Sequence, residues 1–100
     1  MHTMKRIGKY EVLRELGGTY LAARQYEDAR RELSEYVDRR PYDPEGLFYY
    51  GQALERLGDI AGARDMYVRA IDAARTAPRY RKRYTAKWSR LAQKQARKLR

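Results

Sequence analysis

The chain has no cysteine and a single histidine, and only one phenylalanine and one tryptophan among its 100 residues. Without a thiol there is no disulfide, no thiolate zinc site and no cysteine nucleophile. The lone histidine, His2, has neither a cysteine nor a second histidine with which to share a metal. No stretch approaches the roughly 20 apolar residues that a membrane-spanning helix needs, and residues 1–10 lack the apolar run of a signal peptide. A soluble chain is expected, with the cytoplasm as its compartment. Gly17-Gly18 lacks the Lys-Ser/Thr ending of a phosphate loop. Glu11 with Glu15, and Glu27 with Asp28, lie among arginines and read as helix-start charges and ion-pair partners at a spacing of four, not acid/base pairs. The sequence therefore predicts no enzyme, no catalytic residue, no metal and no cofactor.

A further scarcity is local. Residues 78–100 contain no acid, yet they hold 10 lysines and arginines, whereas residues 1–77 carry 13 basic and 13 acidic side chains. The whole net charge of +10 thus sits on the final segment, which marks it as a surface suited to an anionic partner.

What the chain has in abundance is tyrosine, with ten copies, and an internal period. At an offset of 34 residues Glu11 matches Glu45, Leu13 matches Leu47, Gly17 matches Gly51, Ala29 matches Ala63, Arg30 matches Arg64 and Asp38 matches Asp72. Conservative pairs fill the spaces between them: Leu16 with Tyr50, Tyr20 with Leu54, Leu33 with Tyr67, Val37 with Ile71. A fixed period of this length is the mark of a solenoid built from helix pairs. Asp43-Pro44 opens a helix, with Asp43 as cap and Pro44 at its first position. Leu57-Gly58-Asp59 closes that helix and caps the next. The first unit reads as helices over 10–22 and 26–39, with Leu13, Leu16, Gly17 and Tyr20 inward on the first and Ala29, Leu33, Tyr36 and Val37 inward on the second. Residues 79–99 read as a fifth helix, with Tyr80, Tyr84, Trp88, Leu91, Ala92, Gln95 and Leu99 on one face.

These residues resemble the tetratricopeptide repeat (TPR) family, which alternates large and small side chains so that antiparallel helices pack closely. The pattern stands here as Leu13, Leu16, Gly17, Tyr20, Ala29, Leu33, Tyr36 and Pro41, and again as Leu47, Tyr50, Gly51, Leu54, Ala63, Tyr67 and Ala70. The expected fold is all-α: a TPR-type helical solenoid of two helix-turn-helix repeats and a C-terminal capping helix. The expected division is a flexible start over 1–9, repeats over 10–43 and 44–77, and a basic closing helix over 78–100. The first unit departs from the pattern at its inner turn, with Arg24-Gln25 in place of Gly-Asp, and Gly62 is an unusual choice inside a helix.

The resemblance implies a protein-binding module whose concave face, lined by the first helix of each unit, takes a peptide or helix of a partner. The positions that transfer are Arg14 on the first unit, Phe48, Tyr49, Gln52 and Arg56 on the second, and Arg79, Lys82 and Arg83 on the last helix. Phe48 and Tyr49 stand beside core positions already filled by Leu47 and Tyr50. They are therefore expected to be partly exposed anchors, the alternative being that Phe48 packs on a neighbouring helix. Arg14, Arg79 and Arg83 occupy three positions of the carboxylate clamp by which some TPR proteins hold chaperone tails. Its two asparagine positions hold Gly18 and Tyr49, so that clamp is incomplete.

A second role is assembly, as a homodimer or as a module docked within a larger TPR protein, since two units are few for a solenoid. For the basic segment a solvated face comes first and an acidic protein partner second. Nucleic acid or an anionic membrane comes last, because the aromatics among the cations fall at core spacing.

Overall fold

The computed structural model describes residues 8–99, so the expectations for His2 and for most of the 1–9 segment lie outside the described residues. Five α-helices follow one another: α1 Glu11–Ala22, α2 Tyr26–Arg39, α3 Pro44–Arg56, α4 Ile60–Arg75 and α5 Lys82–Lys98. A short 3-10 turn over Arg79–Arg81 precedes α5. The two pairs α1–α2 and α3–α4 are helical hairpins, and α1, α3 and α5 lie side by side.

Local chemistry sets the boundaries. Pro44 begins α3, and the Asp43 carboxylate accepts the Glu45 N–H at 3.0 Å, satisfying one of the free donors of the first turn. Asp59 does the same for α4, accepting from Gly62 N at 2.9 Å. This accounts for Gly62: a β-carbon there would lie 2.4 Å from the capping carboxylate. The turn between α3 and α4 passes through Gly58 at φ +90°, and the turn between α1 and α2 passes through Arg24 at φ +62°. These two residues are 34 apart. The same hairpin imposes the same left-handed backbone on both, at a cost that glycine escapes and arginine bears.

Helix packing repeats as the period predicts. A β-carbon on Gly17 would sit 2.4 Å from Leu33, and one on Gly51 would sit 2.6 Å from Tyr67. Leu33 and Tyr67 are themselves equivalent, so one close contact is built twice. Ala29 and Ala63 are fully buried beside them. Gly46 makes a third close approach, against the ring of Tyr36, which joins α3 to the preceding pair.

Three expectations change. Leu16 is 37% exposed, because no helix lies outside α1 among the described residues to cover it, whereas its equivalent Tyr50 packs on Ala29, Leu33 and Ala53. Tyr80 is 85% exposed and does not share the buried face of α5, because it lies in the turn before that helix starts at Lys82. The surface ion pairs form at a spacing of three, Glu27 with Arg30 at 2.8 Å and Asp28 with Arg31 at 2.9 Å, while Glu11 pairs across to Arg40 at 3.2 Å. No helix among the described residues is long and apolar enough to cross a membrane.

Candidate partner-binding groove

Side by side, α1 and α3 leave a shallow depression of about 520 Å³. Arg14, Gly18 and Leu21 border it on α1, and Glu45, Tyr49 and Gln52 on α3. A β-carbon on Gly18 would lie 3.5 Å from the Tyr49 ring, so this glycine keeps the floor open beside an aromatic wall. Tyr49 is half-buried: its ring meets Trp88 edge-on at 5.4 Å. Burial, together with the charge and hydrogen bond of Glu45, pushes its hydroxyl up to about 12, so it stays a neutral donor at physiological pH. Three residues expected to bind a partner (Arg14, Tyr49 and Gln52) are thus gathered in one place.

Arg14 is not a free cation. Its guanidinium is 2.8 Å from the Asp43 carboxylate and 3.7 Å from Glu45, and it donates to the Tyr36 hydroxyl at 3.4 Å. Tyr36 in turn donates to Asp43, and Tyr84 of α5 donates to Glu45. Burial alone would lower the Arg14 pKa, but the hydrogen bond to Asp43 and the charges of Glu45 and Asp43 outweigh it and raise it. The group is a fixed positive strut between helices. A clamp that needs Arg14 to reach a ligand carboxylate would first have to release it from three of the protein's own, Asp43, Glu15 and Glu45.

The other expected residues divide. Phe48 is 5% exposed, with its ring 5.6 Å from Tyr67 and 5.7 Å from Trp88. The expectation of a partly exposed anchor fails for Phe48, because α5 docks on α3 and lays Trp88 over the ring. Lys82 donates to the carbonyls of Ala74 at 3.3 Å and Arg75 at 2.5 Å, closing the C-terminal end of α4. Arg56 leans away from the depression and stands over the Tyr26 ring at 5.9 Å. Arg79 and Arg83 are exposed at the entry to α5.

Sequence reading missed the clasp of Asp43, Glu45, Tyr36 and Tyr84. It also missed a second one, in which Tyr67 donates to Glu55 at 2.7 Å and Gln95 reaches the same oxygen at 3.3 Å. The available signal was the period itself: Arg14 and Phe48 are 34 apart, so each faces the helix that follows. Among the described residues no three His, Cys, Asp or Glu side chains gather to hold a metal ion.

Paired antiparallel helices, repeated small-residue contacts and a groove along the first helices define a helical-repeat scaffold. The tetratricopeptide repeat family model matches residues 14–78, and the chain belongs to that family. No match was found to a curated protein or to a solved structure. Repeats of this family are in general protein–protein interaction modules.

Proposed function

We propose that the chain holds a segment of another protein in the groove along α1, α3 and α5 and carries out no chemistry of its own. The observation that carries this reading is the depression walled by Tyr49 and Gln52 and floored by Gly18. It offers an aromatic face, an amide and open backbone on rigid helices, the mixture that anchors a peptide. Arg79 and Arg83, exposed at the start of α5, favour an acidic residue at one end of the bound segment.

The test is capture of a partner by the full chain and by Tyr49→Ala with Gln52→Ala, each checked for unchanged helicity. The double variant should lose at least about tenfold in retained partner, one anchor being worth roughly 1–2 kcal/mol. Equal retention by both would remove the groove from the binding surface. Phe48 is unsuited to this test, since its ring belongs to the core.

A specific observation favours self-association as a second reading. Val12 is 50% exposed on α1 beside Leu16, and their equivalents Gly46 and Tyr50 are both covered by α2. A helix of the α2 kind from a second copy would fit this face, and a mass that rises with concentration would reveal it.

A further inference from the structure

The outer face of α5 carries cations with no acid among them. Arg83, Lys87, Arg90, Lys94 and Arg97 are all exposed. Their spacing of four and three residues alternates, which keeps them on one seam running about 21 Å along the helix. No acid interrupts this stretch of sequence. None of the five pairs with a carboxylate among the described residues; every ion pair found there involves arginines of α1, α2, the α2–α3 turn or α4.

The seam is also without apolar anchors. Trp88 and Ala92 are buried, and Leu91, Ala96 and Leu99 pack on the core; two rings stand at its N-terminal end, Tyr84, whose hydroxyl is held by Glu45, and Tyr80, exposed in the turn before the helix. A protein partner needs an apolar centre to its interface, where lysine is depleted. Binding in the plane of a membrane draws on apolar side chains that enter the lipid. A single-stranded nucleic acid needs a succession of free rings on which bases stack; none lies along the seam, since Trp88 is covered and the exposed Tyr80 stands before the helix begins. The partner that a row of bare cations satisfies is a duplex nucleic acid, whose backbone carries one charge per about 1.7 Å and is bound by neutralisation and counterion release.

We propose that the α5 seam lies along the phosphate backbone of double-stranded nucleic acid, without reading its sequence. Arg83 alone is common to the seam and the groove reading; Lys87, Arg90, Lys94 and Arg97 lie outside the α1–α3 groove, so this inference does not rest on the groove reading and fails separately from it.

The experiment is fluorescence anisotropy of a labelled duplex DNA of about 20 base pairs titrated with the full chain at about 50 and 200 mM salt. With five phosphates neutralised, affinity should fall roughly 500-fold between those two salts. In a variant carrying Lys87→Gln, Arg90→Gln, Lys94→Gln and Arg97→Gln, affinity at low salt should drop, and the remaining salt effect should shrink to about 3-fold. These side chains are exposed, so helicity should be unchanged. Arg83→Lys with Arg90→Lys and Arg97→Lys should bind as the parent does. No binding at low salt, or equal binding by the glutamine variant, would overturn the proposal. Tighter binding to polyglutamate, or to vesicles rich in phosphatidylserine, would overturn it as well and identify an acidic protein or a membrane instead.

Discussion

The two joints of this molecule occupy the same place in the repeat and are made of opposite materials. Where the first helix pair meets α3, Arg14 faces forward and is held by Asp43, Glu45 and Tyr36. Where the second pair meets α5, the equivalent position is Phe48, and it is held by Tyr67 and Trp88. The backbone geometry tolerates either, provided that the following helix supplies the complement. The polar joint gains orientation, because an arginine between two carboxylates has few acceptable placements. Much of its attraction is spent on desolvating the charges. The aromatic joint gains stability directly from burial. The closing helix, with a polar and cationic outer surface, depends on that second kind of contact to stay docked.

Trp88→Ala tests the aromatic joint and should have the largest effect. Deleting a buried tryptophan typically costs about 3–5 kcal/mol, and this one is 7% exposed against Phe48 and Tyr49. Its indole N–H is buried without a hydrogen-bond partner among the described residues, so Trp88→Phe strands no polar group and should cost much less. Thermal melts of the two variants measure the difference. An unchanged melt for Trp88→Ala would show that α5 contributes nothing to the folded state and that the two joints are not comparable.

The polar joint should show itself in alkali. The hydroxyl of Tyr36, 1% exposed and bonded to Asp43, is raised in pKa first by burial and then by that carboxylate. Tyr67 is raised likewise by burial and by Glu55 in the other joint. An unfolded tyrosine loses its proton near about pH 10. Above that pH the unfolded chain binds fewer protons than the native one, so stability falls as pH rises towards the folded values. Tyr49 and Tyr84 are raised too, by burial and by Glu45, but both are partly exposed; each hydroxyl contributes at most about 1.4 kcal/mol per pH unit, so Tyr36 and Tyr67 together supply about 3 of the total slope. Below pH 10 both contributions are fully present. Urea unfolding at about pH 9, 10 and 11 should reveal a slope of at least that size, and Tyr36→Phe should lower it by about 1.4 kcal/mol per pH unit. An unaltered slope in that variant would mean that the Tyr36–Asp43 bond is not made in solution.

The difference between the joints also explains what the sequence disclosed. Punctuation is local, so it was legible: Asp43-Pro44 and Gly58-Asp59 mark their helices by chemistry acting within a few residues, and α2 runs from Tyr26 to Arg39 as read. The small residues were legible through repetition, although their close partners are Leu33 and Tyr67, and the alanines lie beside them. Side-chain partners across a joint were not legible. Arg14 finds Asp43 29 residues away, and Phe48 is covered by a tryptophan from a helix that could have docked in several rotations. Tyr49 and Phe48 look alike in sequence; only the docking of α5 leaves one on the groove and buries the other. Lys82, read as a groove cation, has carbonyl partners that no pattern of side chains reveals.

The two hairpin turns extend the comparison to a finer scale and predict the smallest effect, a gain. Gly58 adopts its left-handed conformation freely, and Asp59 then caps α4. At the equivalent turn Arg24 is forced to φ +62°, and Gln25 makes no capping bond to α2. Relief of an unfavourable left-handed residue is worth about 1–2 kcal/mol, partly offset by the greater chain entropy of glycine. A proper cap is worth about 1 kcal/mol. Asparagine is the better cap here, because Glu27 and Asp28 already place two negative charges in the first turn of α2. Arg24→Gly with Gln25→Asn should therefore raise stability by about 1 kcal/mol or slightly more in chemical denaturation. It should do so without altering either joint, since neither residue touches one. Should the double variant be no more stable than the parent, the first hairpin is not under the strain that its backbone angle implies, and the imprint of the second repeat on the first ends at the helices.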